Sequence, residues 1–393
     1  MLSLSNKPKV EVLYVSDRYK EHRPVQGFEK NPVKLFNDIT DFVFFLTASC
    51  NFQYCQHCCV SHHSHRNGKQ VHPIMSEKSV FGLMDLLDKN SRLARQFTNS
   101  GGEVTLLDKR VRDYARDNNL ISPDLAKQMR GHDYLPELIE REYQKITEST
   151  PQILRIMPTS SSKIYVRLPT NGFLFSWLEN IPDLSEKGAD NKIRGSLLYE
   201  VLSDYKGLLI SMSVGPYQEI QYLRKAEELK SKGKKLGEHI SLTRRIDELA
   251  AVQRVLRADS PSEYFGLGFM FTYSKPNLEI MGWDKLDEDI ANRNKDISCI
   301  PSQNPEKNKA TNYILGNYRN HIIEMQPVVK EGLAKNLPWS NELYEAKPKK
   351  ILGETSELYL VPDSDGSVIH AYDTSAHMYQ NNPDYRLFSL RFK

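Results

Sequence analysis

The cysteines of this chain are concentrated at one place. Four of the five lie in the run CNFQYCQHCC, and an apolar stretch at 42–46, typical of a buried strand, comes shortly before it. Cys50, Cys55 and Cys58 have the spacing C-x4-C-x2-C. Thiolates are soft ligands that select zinc or iron–sulfur clusters. Because a closed structural zinc site takes four protein ligands, three cysteines predict a metal centre with one coordination position open.

The ligand set has alternatives within the same segment. Cys59 could replace its neighbour Cys58, which would give the spacing C-x4-C-x3-C. Histidines beside the cysteines could also complete a zinc site with mixed ligands. They are His57, His62, His63 and His65. A zinc-binding interaction protein without catalysis is therefore the alternative to an enzyme.

Composition restricts the class of protein. The 393 residues, 39% of them hydrophobic and 26% charged, are enough for one large globular domain with attachments, or for two domains. No apolar run approaches the ~20 residues of a membrane span, and the amino terminus lacks a secretory pattern. Few and clustered cysteines indicate a reducing compartment, so we expect a cytoplasmic protein. A net charge of +3 is too small to indicate a nucleic-acid or membrane partner.

Short apolar segments alternate with longer amphipathic ones from about Asp41 onward. This alternation is typical of βαβ units in a parallel sheet or barrel. The strand-like segments are 42–46, 96–99, 164–168, 207–214 and 266–273. Ser76 is positioned to cap a helix, and 242–256 has the periodicity of another. The segment 108–149 is too long for a simple connection, so it predicts an insertion of two or three helices.

The two ends of the chain differ from this middle part. Residues 1–40 predict an extension with an edge strand at 10–14. Near the other end, 357–361 and 367–371 flank a turn-forming sequence, which predicts a β-hairpin.

The cysteine run resembles the cluster motif of the radical S-adenosylmethionine (SAM) enzymes. Their pattern is C-x3-C-x2-C after the first strand of a partial (β/α)6 barrel, often with Asn after the first Cys and an aromatic residue before the last. Here Asn51 follows Cys50 and His57 precedes Cys58. The interval between Cys50 and Cys55 is one residue longer than in that pattern.

Further motifs of this family follow in order along the predicted strands. The segment 100–103 (SGGE) is similar to the family's GGE motif, and 169–172 (PTNG) is similar to its TNG. The segment 210–216 (ISMSVGP) resembles the fourth strand, and 269–277 the fifth. The resemblance implies that these motifs surround SAM. The residues so assigned are Gly101, Gly102 and Glu103 at the methionine end, Thr170, Asn171, Ser211 and Ser213 along the rest of SAM, and His57 against the adenine.

The resemblance also implies a cofactor and a reaction. Cys50, Cys55 and Cys58 would bind three irons of a [4Fe-4S] cluster, which leaves the fourth iron to SAM. Reductive cleavage of SAM would give a 5′-deoxyadenosyl radical that abstracts hydrogen from a substrate, either a peptide side chain or a small metabolite. A flavodoxin- or ferredoxin-type protein would supply the electron. Cys299, near the expected sixth strand, could donate hydrogen to the substrate radical; its alternative is a buried apolar role.

The expected organisation is an α/β fold: a partial (β/α)6 TIM-like barrel of the radical SAM type. We expect an amino-terminal extension over 1–40, the barrel over 41–305 with the helical insertion at 108–160, and a carboxy-terminal extension with the hairpin over 306–393. Active sites of such barrels lie at the carboxyl ends of the strands, where all these motifs fall.

Overall fold

The structure is a computed structural model, and its described residues cover most of one large sheet. They are 10–16, 32–37, 39–51, 65–66, 69–70, 73–156, 165–172, 188–214, 230–233, 251–252, 254–256, 258–260, 265–272, 325–328, 357–372 and 386–393.

Twelve strands are present in this part of the chain. In chain order they are β1 (Val10–Val15), β2 (Asp41–Thr47), β3 (His65–Arg66), β4 (Lys69–Gln70), β5 (Gln96–Gly101), β6 (Tyr165–Thr170), β7 (Leu208–Val214), β8 (Phe265–Thr272), β9 (Met325–Val328), β10 (Glu357–Pro362), β11 (Val368–Tyr372) and β12 (Phe388–Phe392). Ten of them form one sheet in the order β1-β12-β11-β10-β2-β5-β6-β7-β8-β9, while β3 and β4 pair separately.

The sheet combines a parallel part with an antiparallel wing. Strands β2, β5, β6, β7, β8 and β9 lie side by side in chain order, and every neighbouring pair is parallel. Strand β10 adds a parallel neighbour on the other side of β2, and β11, β12 and β1 continue antiparallel from there. Within the described residues β1 and β9 are the two edges, so the sheet is open and the fold is mixed α/β.

Helices pack against this sheet. They are α1 (Glu77–Asn90), α2 (Lys109–Asp117), α3 (Pro123–Gln128), α4 (Leu135–Ile156), α5 (Ala189–Arg194) and α6 (Leu197–Ser203), with 3-10 turns at Pro32–Asn37 and Val104–Leu107. In the described part of the chain, none of them combines the length and apolarity that crossing a bilayer requires. Aromatic rings pack together where β2 and β5 are adjacent, since the ring of Phe97 stacks on that of Phe42 at 5.5 Å and meets that of Phe44 at 5.8 Å.

Most elements predicted from the sequence are confirmed. Each of the five predicted parallel strands is present, within two residues of its expected bounds. Ser76 caps α1 by accepting a hydrogen bond from the backbone N–H of Ser79, and three helices, α2, α3 and α4, occupy the predicted insertion. The edge strand and the hairpin are also confirmed. Of the helix predicted over 242–256, the described residues 251–252 and 254–256 are helical.

Two features differ from the sequence expectation. The strand beside β8 is β9 at Met325–Val328, whereas we expected a sixth strand near 297–300, a segment outside the described residues. The hairpin was expected to be an extension of the barrel, but β10 pairs with β2 in the main sheet. The main sheet therefore includes strands from beyond residue 305 on both sides of the predicted parallel strands: β9 lies next to β8, and β10 lies next to β2.

The hairpin turn contacts the amino end of α1. The carbonyl oxygen of Gly366 accepts hydrogen bonds from the Ser79 hydroxyl at 2.8 Å and the Ser76 backbone N–H at 3.1 Å. A Cβ at Gly366 would lie 2.0 Å from the carbonyl oxygen of Ile74, and its φ of +75° already disfavours other residues. Only glycine fits this turn without displacing the backbone of the neighbouring segment.

A second buried contact joins α4 to the sheet. Glu142 and Asn99 are both fully buried, and the Asn99 side-chain amide donates to Glu142 Oε2 at 2.7 Å. Their other oxygens, Asn99 Oδ1 and Glu142 Oε1, have no hydrogen-bond partner in the described structure. Burial raises the pKa of the Glu142 carboxyl well above its ordinary value, and this one hydrogen bond opposes the rise. The neutral acid is therefore the favoured form inside the protein.

We predict that Gly366→Ala lowers the free energy of unfolding by about 2–4 kcal/mol, because strain at positive φ adds to the steric overlap with Ile74. Gly131→Ala is the matched control. Gly131 has a similar φ of +83°, but a Cβ there meets nothing within 4 Å. Denaturant unfolding should show a loss of only about 1 kcal/mol for the control. Equal losses in the two variants would contradict the close approach at Gly366.

We also predict a pH-dependent gain in stability from Glu142→Gln. A raised folded-state pKa means that the native state holds a proton that the unfolded chain releases above about pH 4.3. The wild type therefore loses stability as the pH rises from there through the folded-state pKa. The uncharged variant does not, so its advantage in denaturant unfolding should grow between pH 5 and pH 8. Glu140→Gln, at an exposed position of the same helix, is the control. A constant difference across that range would refute this assignment.

Candidate functional site

The first cysteine of the cluster motif lies just beyond the end of β2. The chain leaves β2 at Thr47, and its backbone returns to the same place at Ile74, where the two residues form an antiparallel bridge. The Ala48 N–H donates to the Pro73 carbonyl at 2.9 Å, and the Met75 N–H donates to the Leu46 carbonyl at 2.8 Å. The base of the cysteine segment is thus closed at the carboxyl edge of the parallel sheet.

Cys50 is half-buried beside this base, and it is the one cysteine of the motif in the described structure. Cys55, His57 and Cys58 lie outside the described residues, as do Cys59 and Cys299. No group of three or more metal-ligating side chains occurs among the described residues. The full ligand set therefore stays a prediction, with one soft donor placed at the sheet edge where the motif requires it.

The glycine pair after β5 lies directly against the chain that leads to Cys50. The Gly102 N–H donates to the Thr47 carbonyl at 2.6 Å, and the Glu103 N–H donates to the Ser49 carbonyl at 2.8 Å. A Cβ at Gly102 would lie 2.1 Å from the Ser49 carbonyl oxygen. The ends of β2 and β5 can approach this closely only because residue 102 has no side chain.

Glu103 is fully buried and holds its carboxylate among neutral donors. Oε1 accepts from the hydroxyl of Thr105 at 2.6 Å, from that of Thr170 at 2.8 Å and from the Thr105 N–H at 3.4 Å. Oε2 accepts from the Asn171 N–H at 2.9 Å. Burial raises the pKa of this carboxyl, and the hydrogen bonds from Thr105, Asn171 and Thr170 act against that rise. The carboxylate joins the turn after β5 to the end of β6.

Asn171 extends this connection back to the first cysteine. Its side-chain amide nitrogen donates to the Asn51 side-chain oxygen at 2.7 Å and lies 3.9 Å from the Cys50 sulfur. Three separate sequence motifs thus meet at the ends of the neighbouring strands β2, β5 and β6. From the sequence we expected all three motifs at the carboxyl ends of the strands, and each of them lies at the end of its strand or shortly after it.

Two buried polar atoms at this place have no hydrogen-bond partner among the residues that the structure describes. They are the Ser49 hydroxyl oxygen and the Asn51 side-chain nitrogen. A buried polar group without a partner costs about 1–3 kcal/mol, so such groups usually have a ligand, an ion or water beside them. The donor set here, one thiol with neutral hydroxyl and amide groups, is compatible with a polar, anion-bearing cofactor next to a soft metal.

Ser211 and Ser213 lie on β7, next to β6 on the side away from β5. Ser211 is in register with Pro169, one residue before Thr170, and Ser213 is in register with Met270 of β8. Both serines are in the carboxyl half of β7, and their assignment to SAM stays a prediction.

Sequence reasoning did not identify Ser49, Asn51 or Thr105 as members of this site by their contacts. The signal for Asn51 was present, since it follows the first cysteine. Thr105 was detectable as a hydroxyl two residues after the acid, a common spacing for a local side-chain contact. Nothing in the sequence around Ser49 indicated a role in the site.

Comparison with known proteins gives little beyond the structure itself. No protein-family model matches the chain, and no curated protein sequence does. One similar solved structure is that of a histidine-tagged protein described as "anSMEcpe with bound AdoMet". The identity is 15%, the alignment covers 89% of this chain and 74% of the other, and the TM-score is 0.36. A likeness at that score establishes neither a shared fold nor a shared function.

We predict that Thr170→Val destabilises the protein by about 1–3 kcal/mol, because it removes a donor to the buried Glu103 carboxylate without changing the side-chain volume greatly. The same hydroxyl oxygen accepts from the Gly172 N–H at 3.0 Å, so that contact is lost too. Thr170→Ser keeps the hydroxyl and should cost less. Thermal and denaturant unfolding measure both variants. If valine were tolerated as well as serine, the hydroxyl would not be holding the carboxylate.

Proposed function

We propose that this protein is a radical SAM enzyme whose barrel is of the partial (β/α)6 type. The observation that carries the proposal is the meeting of Cys50, the Gly101–Gly102 pair and Asn171 at the ends of three adjacent parallel strands. The three motifs are far apart in sequence, and a common SAM and cluster site would need all of them at this edge. The Asn171 side-chain amide, which contacts both Asn51 and Cys50, joins the first and the third of them directly.

In this proposal Cys50, Cys55 and Cys58 hold a [4Fe-4S] cluster, with Cys59 as the alternative to Cys58. The cluster, when bound together with SAM, would supply the one-electron reduction that cleaves SAM for hydrogen abstraction from a substrate. The chain's own contribution is to bind, orient and shield these groups.

In this proposal the glycine pair lies at the methionine end of SAM. Backbone fills the space that a side chain would take, since a Cβ at Gly101 would lie 2.1 Å from the Thr47 carbonyl oxygen and one at Gly102 would lie 2.1 Å from that of Ser49. The missing side chains therefore let the segment that carries Cys50 pack against this turn. Glu103 belongs to the same end of the site. Its carboxylate already accepts four hydrogen bonds, so we propose that it acts by fixing the turn and the end of β6 around the ligand.

The remaining SAM contacts follow the strand order. Thr170 and Asn171 would line the middle of the site, and Ser211 and Ser213 its continuation on β7. His57 would pack against the adenine. The orphaned Ser49 hydroxyl and Asn51 amide supply further hydrogen-bonding groups at the cluster end of the site.

The substrate is proposed as a peptide side chain or a small metabolite, with a flavodoxin- or ferredoxin-type protein as electron donor. The insertion with helices α2, α3 and α4 follows the turn after β5, so it starts beside the site and leads to the amino end of β6 at the opposite edge of the sheet. Insertions at the reactive face commonly carry specificity. Cys299 is proposed as a hydrogen donor to the substrate radical.

We predict that protein purified without oxygen contains iron and sulfide at about four each per chain and is brown. Cys55→Ala removes one proposed ligand, so the chromophore and most of the iron should be lost. Cys299→Ala is the matched control at a cysteine outside the ligand set, and it should keep both. Elemental analysis with visible absorption makes the measurement. Stoichiometric zinc in colourless wild-type protein would instead support the non-catalytic zinc protein.

A further inference from the structure

We propose that Asn171 is a positioning residue for Cys50, and that its side-chain amide directs an N–H group at the sulfur of this first cluster ligand. The inference rests on the proposed function and goes beyond it. It gives Asn171 a task on the cluster side of the site, in addition to any contact with SAM. The electronic properties of the cluster should therefore depend on a residue 121 positions away in the sequence.

The side chain of Asn171 has two partners at once. Its nitrogen donates to Asn51 Oδ1 at 2.7 Å, a strong amide–amide hydrogen bond, and lies 3.9 Å from Cys50 Sγ, within the range of a weaker contact to sulfur. An amide nitrogen carries two hydrogens, so one can serve each partner. Asn51 Oδ1 also lies 3.7 Å from the same sulfur. Asn51 Oδ1 and Cys50 Sγ therefore lie near the same donor, the side-chain nitrogen of Asn171.

The backbone of Asn171 is held in place from the opposite side. Its N–H donates to Glu103 Oε2 at 2.9 Å, and the preceding residue, Thr170, donates its hydroxyl to Oε1 of the same carboxylate at 2.8 Å. Asn171 is only 9% exposed. With both its backbone and its side chain bonded, the amide has one orientation available, which is what a positioning residue requires.

A hydrogen-bond donor directed at a ligand thiolate changes the reduction potential of the cluster. Hydrogen bonds to the sulfurs are among the factors that set the reduction potential of an iron–sulfur cluster, because they stabilise the more negative, reduced form. Aspartate at position 171 has nearly the same shape but presents acceptor oxygens to Asn51 Oδ1 and to the sulfur. Asn171→Asp should therefore lower the reduction potential, and Asn171→Ala should lower it less.

The experiment is a redox titration of anaerobically purified full-length protein, followed by electron paramagnetic resonance of the reduced cluster. We expect the reduced-to-oxidised ratio of Asn171→Asp at a fixed potential to fall at least tenfold, about 59 mV for a one-electron couple. The signal of its reduced cluster should also change. Asn118→Asp makes the same charge change where the amide bonds only to the Tyr114 carbonyl among the described contacts, and should leave both unchanged.

The outcomes separate this inference from the proposed function. If the wild-type protein contains no iron and sulfide, both the proposed function and the positioning role are overturned. If the wild type contains the cluster and Asn171→Asp has the same potential and spectrum, only the positioning role is overturned. If Asn171→Asp fails to fold or to retain iron, Asn171→Ala decides: a lower potential supports the proposal, and an unchanged one refutes it. Thermal unfolding of each variant identifies a folding failure.

Discussion

The buried carboxylate of Glu103 is the contact on which the arrangement of this site depends. A carboxyl group without solvent is costly inside a protein unless hydrogen-bond donors surround it. Here the donors come from Thr105, Thr170 and Asn171, and Glu103 has its own backbone bonded to the Ser49 carbonyl. The turn after β5, the end of β6 and the segment leading to Cys50 therefore hold one another in place. Loosening one of them would leave a buried oxygen of Glu103 without a donor.

The sheet gives this contact a rigid support. Strand β2 lies between two parallel neighbours, β5 and β10, so the segment that carries Cys50 emerges from the interior of the sheet and not from an edge. The hairpin of β10 and β11 brings Gly366 against the amino end of α1, next to the point where the cysteine segment returns. The carboxy-terminal hairpin thus supports the cysteine motif, which lies in the amino-terminal part of the chain.

Local sequence patterns were sufficient for most of the elements. Apolar runs identified the parallel strands, Ser76 identified the start of α1, and the positions of Cys50, Gly102 and Asn171 relative to these strands placed them at strand ends. Strand β9, with the sequence MQPV, escaped prediction because it is short, contains proline and follows no apolar run. The pairing of β10 with β2 and the bond between Asn171 and Asn51 join distant segments, and no local pattern encodes such partners. The hydrogen bonds of Glu103 could not be predicted either, since the sequence around an acid that follows two glycines does not identify its donors.

We propose that this edge of the sheet binds SAM beside a reducible cluster and cleaves it. The most direct test incubates the anaerobically reconstituted protein with SAM and a strong reductant, and measures 5′-deoxyadenosine by chromatography. We expect 5′-deoxyadenosine to form only with the reductant and to be lost in Cys55→Ala. No 5′-deoxyadenosine from fully reconstituted wild-type protein, with and without candidate substrates, would contradict it.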